Sequence, residues 1–152
     1  MGLDMYAYSA ANEKQYDEYW EDGHWQNNAD GVSEFVSEVT KPKELAYWRK
    51  HPNLHGWFEQ EWRSNQYSVQ TVDASEPVDP DTDQFNGVQL EITWDMLERL
   101  EYDVINGELP GTSGFFFGSN ADADYYEQDL EFIRKARAEL FLGLRVFYNS
   151  SW

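Results

Sequence analysis

The segment from Tyr47 to Phe58 holds most of the side chains that could contact a charged or planar ligand. It reads Tyr-Trp-Arg-Lys-His-Pro-Asn-Leu-His-Gly-Trp-Phe, so cations, imidazoles and large aromatic rings occur together. A guanidinium can hold a phosphate or carboxylate through two hydrogen bonds, and aromatic rings stack on flat ligands. The segment therefore predicts a binding site for an anionic, planar molecule. Its predicted residues are Trp48, Arg49, Lys50, His51, His55 and Trp57, with Phe116 from a later glycine-flanked loop.

The predicted site is basic, whereas the chain as a whole is acidic. Residues 41–63 contain five Lys or Arg and three Glu, while the formal net charge of the chain is −18. Acidic surroundings discourage large polyanions, but a local positive patch still attracts one small anion. The net charge also argues against direct nucleic-acid binding, because phosphate contacts depend on cations that are scarce here.

Two patterns resemble metal sites without completing them. His51 and His55 have the spacing of paired ligands on a helix, but Pro52 breaks a helix between them and replaces the glutamate of the zinc-protease motif. A calcium-loop pattern is likewise incomplete, because Tyr125 stands where the sharp turn needs glycine. The sequence predicts no metal, no cofactor and no catalytic residue. The incomplete calcium pattern comprises Asn120, Asp122, Asp124 and Glu131.

Length and composition indicate one domain with a packed core. The chain has 152 residues, and its ten Tyr, nine Phe and seven Trp supply apolar area despite a mean hydropathy of −0.78. Cysteine is absent, which excludes disulfides and thiolate sites and suits a reducing compartment. We find no signal peptide and no membrane span in the sequence, and we expect a cytoplasmic protein.

Hydrophobic periodicity predicts an α+β fold. Strands are expected over 3–8, 32–39, 88–92 and 144–148, and a short helix lies in the polar segment 12–31. Helices are expected from Thr40 to Lys50, from Pro52 onward, from the cap Thr93 to about residue 106, and from residue 119 or 120 to Phe141. A flexible acidic loop is expected over 73–87. The prediction is a single domain over 1–152, a small antiparallel or mixed sheet packed with three or four helices.

Several blocks of the chain are similar to a family of uncharacterised bacteriophage and prophage proteins. The blocks are Met-Gly-Leu-Asp-Met-Tyr at 1–6, Glu-Leu-Ala-Tyr-Trp-Arg-Lys-His at 44–51, Leu-His-Gly-Trp-Phe at 54–58, Ser-Gly-Phe-Phe-Phe-Gly-Ser at 113–119 and Ser-Ser-Trp at 150–152. The resemblance implies a phage protein that acts in the host cytoplasm. It implies no particular chemistry.

Three functions are compatible with these observations. The first is a phage-type binding protein that sequesters an anionic, nucleotide-like molecule such as a host defence signal. The second is an acidic protein that docks on a host protein and inhibits it through Asp73–Asp83 and Tyr16–Asp30. The third is an enzyme that uses His51 or His55 with a carboxylate such as Glu59. Neither a membrane nor a nucleic acid is expected as a partner, and self-association is left open.

Overall fold

The computed structural model describes residues 3–68, 85–110 and 122–151. The elements follow the chain in the order β1 (Asp4–Ala10), α1 (Gln15–Asp22), β2 (His24–Asn27), β3 (Ser33–Val36), β4 (Lys43–Arg49), α2 (Pro52–Ser68), β5 (Leu90–Ile92), α3 (Trp94–Ile105), α4 (Asp122–Phe141) and β6 (Arg145–Ser151). They form one four-stranded and one two-stranded antiparallel sheet with four helices. The predicted α+β class is confirmed.

The four-stranded sheet has the order β4-β1-β6-β5, so the first and last strands of the chain are its centre. Strand β1 pairs with β4 and with β6, and a bulge lies between Ala7 and Tyr8 on the β4 side. Because side chains alternate across a strand, Met5 and Ala7 face one side, and Tyr6 and Tyr8 face the other. We call these the inner and the outer face.

Helices α2, α3 and α4 cover the inner face, and the main core lies between these helices and the sheet. Phe58 of α2 stacks on Tyr148 of β6 with ring centroids 4.1 Å apart, and Phe132 of α4 meets Trp48 of β4 edge-on at 5.1 Å. All four side chains are fully buried. Burial of a large apolar side chain contributes about 2–3 kcal/mol, so this face supplies most of the stabilisation.

Among the described residues, α1 packs on one end of the outer face, and the β2–β3 hairpin packs on α1. Tyr16 of α1 stacks on Tyr8 of β1 at 4.7 Å, and Tyr8 also contacts Phe147 of β6 at 5.8 Å. The rest of this face carries exposed Tyr6 and Tyr47. Large apolar side chains on the inner face are therefore buried, whereas Tyr6 and Tyr47 on the outer face contact solvent.

The predicted helix from Thr40 to Lys50 is wrong, because residues 43–49 form strand β4. Thr40 and Pro42 are good signals for a helix start, but Tyr47 and Trp48 favour a strand, and pairing with β1 decides between them. Lys50 has a φ of 60° in the turn after β4, where its N–H donates to the Leu3 carbonyl at 2.8 Å.

The other predicted elements lie within three residues of the observed boundaries wherever the structure describes them, but strand β2 (His24–Asn27) was not predicted, because its residues fall in the polar segment expected to form a short helix and a loop. Helix α2 begins at Pro52, and Thr93 caps α3 by accepting a hydrogen bond from the N–H of Met96 at 3.2 Å. Most of the predicted acidic loop, 73–84, lies outside the described residues. Phe85, at the end of that predicted loop, is a buried core residue and not part of a solvated excursion. None of the helices in the described ranges combines the length and the apolarity needed to cross a bilayer.

Candidate functional site

The residues predicted to bind an anionic ligand divide into a buried and an exposed set. Trp48, His51, His55 and Trp57 are at most 4% exposed. Arg49 and Lys50 are exposed and form no salt bridge with another described residue. Phe116 lies outside the described part of the chain. The four buried side chains therefore present almost no surface to a ligand, whereas Arg49 and Lys50 do.

Two of the buried side chains, Trp48 and His51, form a polar cluster around Asp129 of α4. The indole N–H of Trp48 donates to Oδ1 of Asp129 at 3.0 Å, and Nε2 of His51 bonds to Oδ2 at 2.8 Å. Asp129 is itself buried, so the two hydrogen bonds compensate for the loss of water around its carboxylate. One carboxylate thus fixes the end of β4 and the start of α2 against α4.

Two further contacts cover the edge of the sheet at β4. Tyr125 of α4 stacks on the His51 ring at 4.5 Å, and its hydroxyl donates to the Arg49 carbonyl. Gln128 donates from Nε2 to the Tyr47 carbonyl at 2.6 Å. Both side chains donate hydrogen bonds to carbonyls of β4, an edge strand. Those carbonyls would otherwise be free to pair with another strand.

His55 belongs to an apolar part of the interior. Its Nδ1 shares a hydrogen bond with the Tyr148 hydroxyl at 2.7 Å, and its ring lies 5.2 Å from that of Phe85. Burial lowers the pKa of His55 to about 4 and raises the pKa of Tyr148 well above its usual value. Both groups are consequently neutral at pH 7, which suits a packing role better than proton transfer.

The outer face carries a groove that sequence reasoning did not assign. The groove has a volume of about 200 Å³ and lies between α1, strand β1 and the start of β4. Its wall contains five aromatic rings, one ammonium and one carboxylate. We call it the aromatic groove, and its lining residues are Tyr6, Ala7, Tyr8, Tyr16, Tyr19, Trp20, Lys41, Pro42 and Glu44.

The hairpin and α1 hold the groove wall in place through ring contacts. Trp20 lies 4.7 Å from Phe35 of β3, and Tyr19 lies 5.1 Å from the same ring. Gly23 allows this approach, because a Cβ at that position would fall 2.2 Å from the Phe35 ring. Tyr6 and Trp20 remain 38% and 45% exposed, so part of each side chain contacts solvent.

The surroundings of the groove are acidic. Residues 12–40, which contain α1 and the hairpin, hold eight Asp or Glu and a single Lys. In the groove itself, neither Lys41 nor Glu44 forms a salt bridge with a described residue. The pKa of Tyr6 is raised by partial burial and by the negative charges of Asp4 and Glu44.

The signal for the groove was present in the sequence but incomplete. Tyr6 and Tyr8 share one side of the predicted first strand, and Tyr16 begins the segment that the second predicted function uses for docking. Nothing local indicates that these two segments meet, since Tyr8 and Tyr16 approach only after the chain turns back.

We compared the chain with protein-family models, curated proteins and solved structures. No protein-family model, curated protein or solved structure matches this chain. In the described ranges, no three His, Asp or Glu side chains come together as a set of metal ligands.

Proposed function

We propose that this protein is an interaction protein whose aromatic groove binds an extended, basic segment of a partner protein. The observation that carries the proposal is an open aromatic groove on the outer sheet face, beside a segment rich in carboxylates. In the phage setting that the sequence blocks imply, the partner is a host protein. Binding then occupies a basic surface that the host needs.

The size of the groove supports a peptide over a small molecule. Pockets for small molecules usually enclose about 300–1,000 Å³ and cover most of the ligand. The aromatic groove is smaller, at about 200 Å³, and two of its five rings, Tyr6 and Trp20, are exposed. Such a shape receives one or two side chains of an extended chain, as aromatic grooves do for proline-rich segments.

The charge distribution supports a basic partner. Eight carboxylates and one lysine in residues 12–40 produce a negative potential beside the groove. Such a potential accelerates encounter with a cationic surface and opposes an anionic one. Arg and Lys side chains also bind to aromatic faces by cation–π attraction, for which Trp20 offers the strongest ring.

Selection of peptides from a yeast-displayed library of random dodecapeptides tests the proposal directly. We expect the selected peptides to be rich in Arg or Lys and to contain proline. A synthetic copy of the tightest peptide should bind at least about tenfold more weakly to Trp20→Ala, the loss typical of an aromatic anchor. Its affinity should also fall as salt is raised from about 50 mM to 500 mM.

Trp94→Ala is a matched control, because Trp94 on α3 is as exposed as Trp20, at 45%. The control should bind the peptide within a factor of two of the wild type. Enrichment of acidic peptides, no enrichment at all, or equal binding to Trp20→Ala would each contradict the proposal. Light scattering could also contradict it. A mass twice that of the monomer, lost in Trp20→Ala, would show that the groove binds a second copy of this chain.

Sequestration of an anionic, nucleotide-like molecule is the second candidate. The observation in its favour is the adjacent pair Arg49 and Lys50, both exposed and without a carboxylate partner in the described residues. Calorimetric titration with AMP and with a cyclic dinucleotide tests it, using Arg49→Ala and the exposed control Arg134→Ala. Binding that only Arg49→Ala abolishes would replace the first proposal. Equal behaviour of the two variants, or no binding, would exclude this site.

A further inference from the structure

We propose that the aromatic groove binds an arginine side chain of its partner and that Glu44 determines the preference for arginine. The inference rests on the proposed function and names the chemistry that the groove recognises. It begins from an unusual combination in the groove, where the Glu44 carboxylate, which forms no salt bridge with a described residue, lies near the exposed rings of Tyr6 and Trp20. The same surface also bears one ammonium, Lys41, which does not neutralise that carboxylate by contact.

The position of Glu44 follows from the sheet register. Glu44 lies opposite Tyr8 across the β1–β4 pair, so its side chain is on the outer face beside the tyrosines. Its charge acts on the Tyr6 hydroxyl, whose pKa it helps to raise. Two other outer-face carboxylates have partners: Asp4 accepts a hydrogen bond from Tyr47 at 2.6 Å, and Glu91 binds Arg145 at 2.6 Å. Glu44 is left to receive a cation from outside.

Guanidinium chemistry fits this arrangement better than an ammonium. A guanidinium is planar, stacks on an aromatic face and at the same time offers two parallel N–H groups to a carboxylate. Tyr6 and Trp20 supply exposed faces, and Glu44 supplies the carboxylate at the same groove. A lysine can use the charge, but it cannot combine stacking with two bonds. A neutral side chain of the same shape can stack but has no charge for Glu44.

Peptides that differ only in this group test the inference. The probe is a capped nonapeptide made of three Pro-Pro-Arg units, and its counterparts carry citrulline or lysine in place of arginine. Citrulline has nearly the shape of arginine without the charge. Fluorescence anisotropy should show that the citrulline peptide binds wild-type protein about tenfold more weakly than the arginine peptide, as expected for loss of a charge-assisted hydrogen bond. The lysine peptide should lie between them.

The protein variants complete a double-mutant cycle. Glu44→Gln should bind the arginine and citrulline peptides within a factor of two of each other, whereas Glu127→Gln, an exposed residue of α4 outside the acidic segment 12–40, should keep the wild-type preference. Equal binding of both peptides to the wild type, or the same preference in Glu44→Gln, would overturn the inference. Circular dichroism of Glu44→Gln shows whether the fold is retained, and Lys41→Met supplies a second variant in which the arginine preference should persist or increase.

The outcomes separate this inference from the proposed function. If selected peptides bind at Trp20 while the Pro-Pro-Arg peptide does not, or while arginine and citrulline are interchangeable, the groove is a docking site without arginine specificity. If no peptide binding depends on Trp20, the proposed function and the arginine inference are both wrong.

Discussion

Lowering the pH should destabilise the protein through His55, and the structure allows the size of the effect to be worked out. His55 lies in the core beside Phe85 and Tyr148, and burial lowers its pKa from 6.5 to about 4. In the unfolded chain the imidazole regains its ordinary pKa. Between these two pH values the unfolded state therefore binds a proton that the native state does not bind. Stability from this group is present above about pH 6.5 and is lost progressively as the pH falls toward 4.

The difference between the pKa of 6.5 and the value of about 4 sets the magnitude. At about 1.4 kcal/mol for each pH unit, the full loss is about 3 kcal/mol. That is a large fraction of the stability of a small domain, which is about 5–15 kcal/mol. Carboxylates titrate in the same range, so the contribution of His55 has to be isolated by a variant that does not titrate.

Urea unfolding followed by tryptophan fluorescence at pH 7, 6, 5 and 4.5 measures the effect. His55→Asn keeps a polar group near Nδ1 for the Tyr148 hydroxyl but cannot take up a proton. The variant should lose less stability than the wild type between pH 7 and 4.5, by about 2–3 kcal/mol. His24→Asn, in the exposed strand β2, is the control and should follow the wild-type curve. Parallel pH profiles for wild type and His55→Asn would refute the argument.

Three further substitutions test the fold by urea unfolding. Thr93→Ala should cost about 1 kcal/mol, because the N–H of Met96 loses its cap, while Thr40→Ala, which caps no helix, should cost less than about 0.5 kcal/mol. Asp129→Asn should cost about 1–3 kcal/mol, since the NH2 group of asparagine replaces one of the two oxygens that accept from Trp48 and His51; no loss would show that the cluster is not stabilising. Gly23→Ala should cost about 1–3 kcal/mol by displacing the Phe35 ring, and unchanged near-ultraviolet circular dichroism would contradict this.

Local patterns in the sequence were sufficient where an element is defined by its own residues. The alternation of Leu90 and Ile92 predicted a strand, and the hydroxyl of Thr93 followed by an apolar helical stripe predicted the start of α3. Pro52 marked the first residue of α2, because proline fits the first turn of a helix and disfavours helical geometry before it. The α+β class followed from such signals.

Tertiary structure decided the features that depend on residues far apart in the chain. Residues 43–49 became a strand because β1 pairs with them from about forty positions away, and this pairing placed Trp48 on the inner face and Tyr47 on the outer one. Hydrogen bonds to the buried carboxylate of Asp129 then stabilise Trp48 and His51 in the interior. The aromatic groove arises from the same pairing, since Tyr6, Trp20 and Glu44 belong to three separate elements. Local propensity carries no information about such long-range partners. Contacts with these partners determine which side chains are buried and which are exposed to water.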